Sequence, residues 1–380
     1  MANFYCNQKF WFLLVDLGKF ETSSCCAATP QKINLSWTKD NPGQIFNTPE
    51  IQHDRALMLE NKPTTSCAVS CWNPEEKGII SRRLSSNGQE KTHLNVVSSP
   101  ETLTITVGSD CNMTCVYCCK FYSTAWGRDV EQNPYQVAHV DDRFRFTKKD
   151  KILQSIGQKD MQKSATRQLV LDEVVKLYQS PKINEIMIIG GEPFLYLDLH
   201  KLISTVPDNL QVSIFSGLGV NEKRFAQEIK KLPKNATVVI SAESIGSMYE
   251  FVRYGNTWER FTNNLAQLKS AGINYRFNCT VSNLTVIGLK DFIKWAGDVP
   301  MNFQPCTDPD YLSIGVLDPE TKKLVQSDMS ELPEFVSQAL VAEPSRAQID
   351  NFKIYVREFA NRRQLKFDIL PKSLENWIMT

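Results

Sequence analysis

Short apolar segments alternate with helical patterns along much of this chain, and no other feature constrains its fold as strongly. The segments are β-branched and nearly continuous in apolar character, which is typical of strands covered on both faces. They occupy residues 102–107, 183–189, 210–215, 236–241, 274–281 and 301–305. The helical patterns lie at 166–179, 221–231, 257–270 and 285–296. Repeated strand–helix units predict an α/β fold with a parallel sheet, either doubly wound or closing toward a barrel.

The composition divides the chain into three parts. Residues 1–90 are rich in Asn, Pro, Ser, Thr and Cys, which predicts a small, loop-rich domain. Such a domain has little core of its own and needs further stabilisation, for example by a bound metal. Residues 91–310 hold the strand–helix units, with a polar and aromatic insertion over 120–165. These units number about six, fewer than the eight of a complete (β/α) barrel. Amphipathic patterns in residues 311–380 predict a carboxy-terminal helical extension.

Bulk properties exclude several classes of protein. The formal charge of +1 gives no footprint for binding nucleic acid or an anionic membrane. The apolar run FWFLLVDLG, residues 10–18, is too short to span a bilayer and is followed by no small-residue cleavage site. We therefore expect a soluble, cytoplasmic protein. Eleven cysteines cannot all pair within one chain, and in that compartment their thiols should be reduced.

Four cysteines crowd the stretch SDCNMTCVYCCK, residues 109–120, directly after the first predicted strand. Parallel α/β folds place their chemistry at this end of a strand. CVYC alone could be a redox dithiol, but a dithiol does not explain Cys111. Zinc needs a fourth ligand, and Cys119 is badly placed for that beside Cys118. The spacing C-x3-C-x2-C suits a [4Fe-4S] cluster held by three thiolates, which leaves one iron open for a ligand.

CNMTCVYC resembles the C-x3-C-x-aromatic-C signature of radical S-adenosylmethionine (SAM) enzymes, and two later segments extend the resemblance. IMIIGGEPFL, residues 186–195, is similar to that family's GGEP segment after the second strand. VVISAESIGSMYEFVRYG, residues 238–255, is similar to its fourth-strand segment, in which a Ser-x-Asp/Glu pair and a downstream Arg serve the cofactor. The resemblance covers residues 102–306 and implies a partial (β/α)6 barrel of the TIM type.

The resemblance also implies roles for individual residues. Cys111, Cys115 and Cys118 would bind the cluster, and Cys119 would only pack. The segment of Gly190, Gly191 and Glu192 would hold the methionine amine of SAM, because glycines permit close backbone approach and a carboxylate accepts from an ammonium. The other implied contacts are Ser241 and Glu243 with the ribose, Arg253 with the methionine carboxylate, and Tyr117 as the aromatic beside the cofactor. The third strand ends in IFSGLG rather than the family's usual Thr-Asn-Gly, which leaves only Ser216 there.

The activity implied by the resemblance is reductive cleavage of SAM to methionine and a 5′-deoxyadenosyl radical, which then abstracts a hydrogen atom from a substrate. The cofactor supplies this chemistry, while the protein orients the substrate and excludes water and oxygen. An external electron donor such as flavodoxin or ferredoxin is implied as a partner.

A second group of cysteines lies in the first 90 residues. Cys6, the adjacent Cys25 and Cys26, and the pair Cys67 and Cys71 are followed by an E-x-x-G-x-x-S-x-R tail, residues 75–83. The arrangement resembles the auxiliary iron–sulfur modules called SPASM or twitch domains. Here the module precedes the barrel, as in a group of twitch-bearing radical SAM proteins found in many bacteriophage genomes.

That resemblance implies an auxiliary [4Fe-4S] cluster held by four cysteines. We predict the ligands to be Cys6, Cys25, Cys67 and Cys71, with Cys26 an alternative to Cys25, because adjacent residues rarely both point at one cluster. A structural zinc site with four thiolates is compatible with the same spacing.

Three interpretations of the whole chain follow. The first is a radical SAM enzyme, whose substrate is taken to be a peptide or protein on the strength of the auxiliary module alone. The second is a non-catalytic protein that binds zinc or iron–sulfur clusters and has a structural or partner-binding role. The third is a degenerate family member that binds SAM without turning it over.

Overall fold

The structure is a computed structural model that describes residues 4–76, 78, 81–86, 97–137 and 165–380. These residues form two compact units. The first unit comprises residues up to 108, from 165 to 214 and from 231 to 236, and the second comprises 109–137, 215–230 and 237–380. The domain boundaries at 90 and 310 stay predictions. Most of the predicted 120–165 insertion lies outside the described residues.

The strands form where the sequence predicts them from residue 102 onward, and an unpredicted group precedes them. In chain order they are β1 (Phe12–Asp16), β2 (Glu21–Ser23), β3 (Gln31–Lys32), β4 (Thr102–Thr106), β5 (Glu185–Ile189), β6 (Gln211–Ser216), β7 (Ala236–Ser241), β8 (Asn274–Val281) and β9 (Met301–Pro305). The predicted strands thus correspond to β4 through β9, within two residues at each end. The chain is an α/β protein whose strands pair mostly in parallel.

The sheet of the first unit runs in the order β3-β2-β1-β4-β5-β6. β1 pairs in parallel with β4, with Phe12 opposite Thr102 and Asp16 opposite Thr106. The pairs β4–β5 and β5–β6 are also parallel, whereas β2 and β3 are antiparallel additions. The apolar run at the start of the chain is therefore an interior strand, and its Leu13 and Val15 are fully buried. The first 90 residues contribute more to the core than their loop-rich composition predicts.

In the second unit, β7, β8 and β9 pair in parallel in that order. β8 alternates along its length: Phe277, Cys279 and Val281 are buried, while Asn278 and Thr280 between them are half-buried. This half of β8 therefore has one apolar face and one face with hydrogen-bonding side chains, whereas β7 buries the consecutive residues Val238, Val239 and Ile240, as burial on both faces predicts.

Helices connect and follow the strands. In the first unit they are α1 (Gln8–Trp11), α2 (Leu35–Asp40), α3 (Pro49–Leu59), α4 (Asn73–Glu76), α5 (Arg82–Ser86), α7 (Ala165–Leu177) and α8 (Leu199–Ile203). In the second they are α6 (Thr124–Gln132), α9 (Glu222–Ile229), α10 (Gly246–Val252), α11 (Trp258–Ser270), α12 (Leu289–Ala296), α13 (Pro319–Ser327), α14 (Phe335–Leu340), α15 (Arg346–Arg363) and α16 (Lys372–Met379). The four helices predicted between strands correspond to α7, α9, α11 and α12. No helix in the described part of the chain has the length and apolar character needed to cross a bilayer.

Local sequence explains where the longer helices begin. Thr257 accepts a hydrogen bond from Arg260 N at the start of α11, and Asp318 caps α13, whose first residue is proline. Ser345 and Gln348 form a complete capping box at the start of α15. The carboxy-terminal region therefore folds into helices, as its amphipathic pattern predicts.

Candidate functional site

The cysteine loop, residues 111–118, lies in the second unit. Cys111 and Cys115 are buried, Cys118 is half-buried, and all three pack in one cluster with Met113 and Tyr117. Cys119 is also buried but is not a member of that cluster. The structure thus brings together the three cysteines that the spacing singles out.

Backbone pairing with the segment after α10 fixes the loop on one side. Thr114 N donates to Tyr254 O at 2.7 Å, and Val116 N donates to Val252 O at 2.8 Å. Gly255 ends this segment with φ +103°, and a Cβ there would lie 2.5 Å from the Asn112 carbonyl oxygen. Only glycine permits this approach, so Gly255 shapes the loop although no sequence argument pointed to it.

Helix α6 and its N-cap residue Ser123 hold the first five residues of the loop. Trp126 Nε1 donates to Cys115 O at 3.0 Å, and Ser123 Oγ donates to Met113 O at 2.7 Å. Thr124 Oγ1 accepts from Cys111 N at 3.2 Å. These bonds satisfy three backbone groups of the loop without a metal, and Met113 N donates to Cys111 Sγ at 3.4 Å.

Helix α15 reaches the same loop from far along the chain. The Tyr355 hydroxyl donates to Val116 O, and Arg363 Nε donates to Thr114 Oγ1 at 3.1 Å. Arg363 is itself paired with Asp129 at 3.0 Å. Cys115 is therefore flanked by two residues that the carboxy-terminal extension holds. The sequence did not identify Tyr355 and Arg363 as site residues, because neither belongs to a recognisable local motif.

A buried ion pair lies beside the cysteine loop. Arg253 donates to Glu243 through Nε at 3.0 Å and Nη2 at 2.6 Å. Its Nη1 lies 3.8 Å from Cys115 Sγ, and its guanidinium carbon is 5.1 Å from the centroid of the Tyr117 ring. Tyr117 also donates its hydroxyl to Glu243. Four of the residues predicted from sequence therefore make direct contact.

Burial dominates the electrostatics of these groups. It raises the pKa of the Cys115 thiol, with the nearby Arg253 charge opposing it, and it raises the pKa of Cys118 well above the ordinary value. Burial alone would lower the pKa of Arg253, but Glu243, Tyr117 and Cys115 together outweigh it and raise that pKa well above its ordinary value. Buried thiols become ligands only on losing their protons, so metal binding here would release protons.

The serines predicted to serve the cofactor differ in their surroundings. Ser241 ends β7 and is half-buried. Ser216 ends β6, is buried, and accepts a hydrogen bond from Leu218 N at 2.9 Å. The Ser216 hydroxyl thus stabilises its own turn, as serine often does at strand ends.

The GGEP segment lies in the first unit, directly after β5. Gly190 has φ +142°, and a Cβ there would lie 2.7 Å from the Gly108 carbonyl oxygen, which accepts from Gly191 N at 2.9 Å. Glu192 is buried and caps the 3₁₀ turn Pro193–Leu195 through Phe194 N at 3.3 Å. The glycines therefore allow two stretches of backbone to pass in contact, as a backbone cradle for a small ligand requires.

The amino-terminal cysteine group, Cys6, Cys25, Cys67 and Cys71, also lies in the first unit. All four are buried in one cluster with Met58 and Trp72, whereas Cys26 is exposed. Cys67 ends a 3₁₀ turn, and Cys71 lies in the π-helical turn Ala68–Trp72 that follows it. Such turns are uncommon and are frequent at functional sites. The structure thus places Cys25 rather than Cys26 with the others.

The thiols of this group have unequal pKa values. Burial raises the pKa of Cys6 to about 11 and also raises that of Cys71. A hydrogen bond with Cys26, together with the Ala27 backbone N–H, lowers the pKa of Cys25 to about 6. Cys25 therefore loses its proton more easily than Cys6 or Cys71.

Three residues of the E-x-x-G-x-x-S-x-R tail, Glu75, Ser81 and Arg83, interact beside this group. Arg83 donates to Glu75 through Nε at 3.1 Å and to the Tyr5 carbonyl oxygen at 3.2 Å, and its guanidinium carbon lies 4.9 Å from the Trp72 ring centroid. Ser81 donates to Glu75 as well. The tail thus ties together the chain beside Cys6 and the chain beside Cys71.

Both cysteine groups offer only thiols as ligand atoms, which is the donor chemistry of iron–sulfur clusters and of structural zinc. No set of three or more His, Cys, Asp or Glu side chains in the described ranges has the arrangement of a metal-ion site. Within the second unit, the three clustered thiols beside the Arg253 charge have the donor chemistry of an iron–sulfur cluster rather than the arrangement of a single-ion site.

Comparisons with known proteins place these residues in context. A family model described as the Radical SAM superfamily matches residues 105–294. Native anSMEcpe with bound AdoMet has 16% sequence identity and a TM-score of 0.39, over 61% of this chain and 60% of its own. SuiB of Streptococcus suis has 15% identity and a TM-score of 0.34, over 65% and 52%. The chain therefore spans less than two thirds of the length of these proteins. No curated protein matches it.

Proposed function

The chain belongs to the radical SAM superfamily, whose model matches half of its length, and from this premise we propose that it cleaves SAM reductively to act on a substrate. The observation that best supports this proposal is the cluster of Cys111, Cys115 and Cys118 beside the buried Glu243–Arg253 pair. A bound [4Fe-4S] cluster and SAM would supply the cleavage of the bond from sulfur to C5′, which yields methionine and a 5′-deoxyadenosyl radical that abstracts hydrogen.

The residues of the chain would bind and orient these groups. Cys111, Cys115 and Cys118 would hold the cluster, and three thiolates leave one iron for SAM. Arg253 would hold the methionine carboxylate, because a guanidinium fork matches a carboxylate and stays charged. Tyr117 would lie beside the cofactor.

Binding of the rest of SAM is proposed for three strand ends. Gly190, Gly191 and Glu192 would hold the methionine amine, and the segment from Ser241 to Glu243 would meet the ribose. Ser216 has a weaker claim, because its hydroxyl already accepts a bond from Leu218. Glu192 and Glu243 are buried, which would strengthen the charged contacts of their carboxylates.

We further propose an auxiliary [4Fe-4S] cluster on Cys6, Cys25, Cys67 and Cys71. Four buried thiols from three separate segments support it, as does the Glu75–Arg83 closure. The resemblance to auxiliary modules makes a peptide or protein the proposed substrate class, with flavodoxin or ferredoxin as electron donor. The proposed compartment is the cytoplasm, where thiols stay reduced. The bacteriophage association also rests on that resemblance.

Anaerobic reconstitution tests this proposal. Protein supplied with iron, sulfide, SAM and dithionite should release 5′-deoxyadenosine and methionine in equal amounts, measured by liquid chromatography and mass spectrometry. Cys119→Ala is the matched control and should keep the wild-type yield, whereas Cys115→Ala should have none. Wild-type protein that contains the cluster and releases no 5′-deoxyadenosine would contradict the proposal.

A further inference from the structure

Gln8 is a buried polar residue beside the amino-terminal cysteine group. It begins α1, two residues after Cys6, and is 1% exposed. Its Oε1 accepts a hydrogen bond from Cys25 Sγ at 3.2 Å. Burial raises the pKa of the Cys6 thiol, and a hydrogen bond from the Gln8 backbone N–H opposes that effect. Gln8 therefore contacts two of the four proposed ligands of the auxiliary cluster, which come from two separate segments.

The carboxamide of Gln8 is weakly paired in this position. Removing an amide from water costs free energy unless hydrogen bonds replace those that water made. Its side-chain partner is a thiol, which is a weak donor. Its Nε2 makes no hydrogen bond among the residues that the structure describes. An aliphatic side chain of similar size would fill the same space without this cost, so packing alone does not explain a glutamine here.

Iron bound to Cys25 would reverse what this sulfur needs from its neighbour. A sulfur that is bound to iron has no proton to donate and carries negative charge, so it accepts hydrogen bonds. A half turn about the last torsion of a glutamine exchanges its oxygen and its NH2 group. Gln8 could then donate to Cys25 Sγ. The Ala27 backbone N–H already donates to the same sulfur at 3.4 Å.

The hydroxyl of Ser66, which lies beside another cysteine of the group, is a useful contrast. Ser66 Oγ is 3.9 Å from Cys67 Sγ. It donates to Asp54 Oδ2 at 2.6 Å and accepts from Lys9 Nζ at 2.8 Å. A hydroxyl has one hydrogen, and here a carboxylate holds it. The NH2 group of Gln8 has two, and no acceptor among the described residues holds either.

We propose that Gln8 is a positioning residue of the auxiliary cluster, whose carboxamide donates to the sulfur of Cys25 and raises the reduction potential of that cluster. The inference rests on the proposed function, because it concerns the auxiliary [4Fe-4S] cluster. Hydrogen bonds to the ligand sulfurs are among the factors that set the potential of a cluster. They favour the reduced state because it carries the more negative charge.

Redox titration followed by electron paramagnetic resonance measures this potential in the reconstituted protein. The signal to follow is the one that SAM does not change. Gln8→Leu should shift the reduction equilibrium of this cluster about tenfold toward the oxidised state, which is about 59 mV for one electron. Gln8→Glu replaces the donor with a carboxylate of similar shape and should shift the equilibrium at least as far. The SAM-sensitive cluster should keep its potential in both variants.

Gln52→Leu is the matched control. Gln52 lies in α3 of the same unit, and its Nε2 donates to the Asn47 carbonyl oxygen at 2.9 Å and not to a sulfur. This variant should leave both midpoint potentials unchanged.

A second measurement detects the hydrogen bond in the wild-type protein and does not depend on how a variant folds. Protein labelled with ¹⁵N at its glutamine side-chain amides should show, by pulsed electron paramagnetic resonance, a ¹⁵N nucleus coupled to the reduced auxiliary cluster. Gln8→Leu should lack this coupling, and Gln52→Leu should keep it.

Three results would overturn the inference. The first is an unchanged midpoint potential in a Gln8→Leu protein that keeps its irons, and the second is an equal shift in Gln52→Leu. The third is a wild-type auxiliary cluster with no ¹⁵N coupling. Wild-type protein that holds zinc or no metal at Cys6, Cys25, Cys67 and Cys71 would instead overturn the auxiliary cluster of the proposed function.

Discussion

The two cysteine groups of this chain are gathered in different ways. In the cysteine loop, Cys111, Cys115 and Cys118 come from eight consecutive residues, and backbone bonds to α6, α15 and the segment after α10 hold the loop. The amino-terminal group draws its thiols from three separate segments that meet in one cluster. The loop is thus held mainly by backbone bonds, whereas the segments of the amino-terminal group are joined mainly through side chains. Lys9 Nζ and Ser66 Oγ both donate to Asp54 Oδ2, at 2.7 and 2.6 Å.

Their surroundings differ as well. The loop lies beside the buried Glu243–Arg253 pair, with Arg253 in contact with Cys115. The amino-terminal group packs against Met58 and Trp72, and its ion pair, Glu75–Arg83, stacks on Trp72. The three thiols of the cysteine loop lie beside a charge, which suits a site that binds a charged ligand. The four thiols of the amino-terminal group lie among apolar side chains, which suits a site whose metal stabilises the fold.

The largest predicted effect comes from removing the loop's thiols. The variant Cys111→Ala, Cys115→Ala, Cys118→Ala should lose about four irons per chain and all SAM cleavage. Because backbone bonds hold the loop, its thermal midpoint should fall little. Iron analysis, product assay and thermal denaturation measure these effects. A fall of about 10 °C or more in the thermal midpoint would contradict the view that backbone bonds, and not the cluster, hold the loop.

Removing a thiol from the amino-terminal group should act mainly on stability. Cys67→Ala should lose the second set of about four irons and lower the thermal midpoint by about 10 °C, because that cluster links three separate segments of the folded chain. Cys26→Ala is the comparison variant, and it should keep both sets of irons because Cys26 is exposed and lies outside the thiol cluster. Metal analysis that finds zinc instead of iron at this group would show that it is a structural zinc site and not an auxiliary cluster.

Opening the tail that covers the amino-terminal group should have a smaller effect. Glu75→Gln removes the charge opposite Arg83, whose side chain is 5% exposed, and should cost about 2 kcal/mol. Glu76→Gln is the matched control, since Glu76 is exposed and should change stability by less than about 0.5 kcal/mol. Chemical denaturation measures both, and equal effects would show that the tail does not hold this region.

The smallest effect should come from the contact between α15 and the cysteine loop. Tyr355→Phe leaves the Val116 carbonyl without its donor and should cost about 1 kcal/mol. Tyr275→Phe removes a hydroxyl that makes no hydrogen bond within the described residues, and should be nearly neutral. Thermal denaturation compares the two, and a neutral Tyr355→Phe would mean that α15 does not stabilise the loop.

How far the sequence predicts the structure depends on the distance between partners along the chain. β4 through β9 were predicted because each is a compact β-branched run with its own local pattern. β1 was missed, because its short apolar run lies among loop-forming residues and its partner β4 lies some ninety residues later. Its pairing is therefore invisible to any local pattern.

The same limit applies to the candidate site. Glu243 and Arg253 lie ten residues apart in one motif, and the structure brings them into contact. Tyr355 and Val116 lie 239 residues apart, so no spacing argument could join them. The choice of Cys25 over Cys26 agrees with burial, but its role as a ligand stays a prediction. Closure of the sheet into a partial barrel also stays a prediction.

The response of the reduced clusters to SAM tests the central contrast most directly. Electron paramagnetic resonance of the reduced wild-type protein should show one cluster signal that changes on addition of SAM and one that does not, since only a three-thiolate cluster has an iron open to ligand. The variant without Cys6, Cys25, Cys67 and Cys71 should keep only the SAM-sensitive signal. A spectrum in which SAM changes no signal, or changes one that survives loss of Cys111, Cys115 and Cys118, would contradict the assignment.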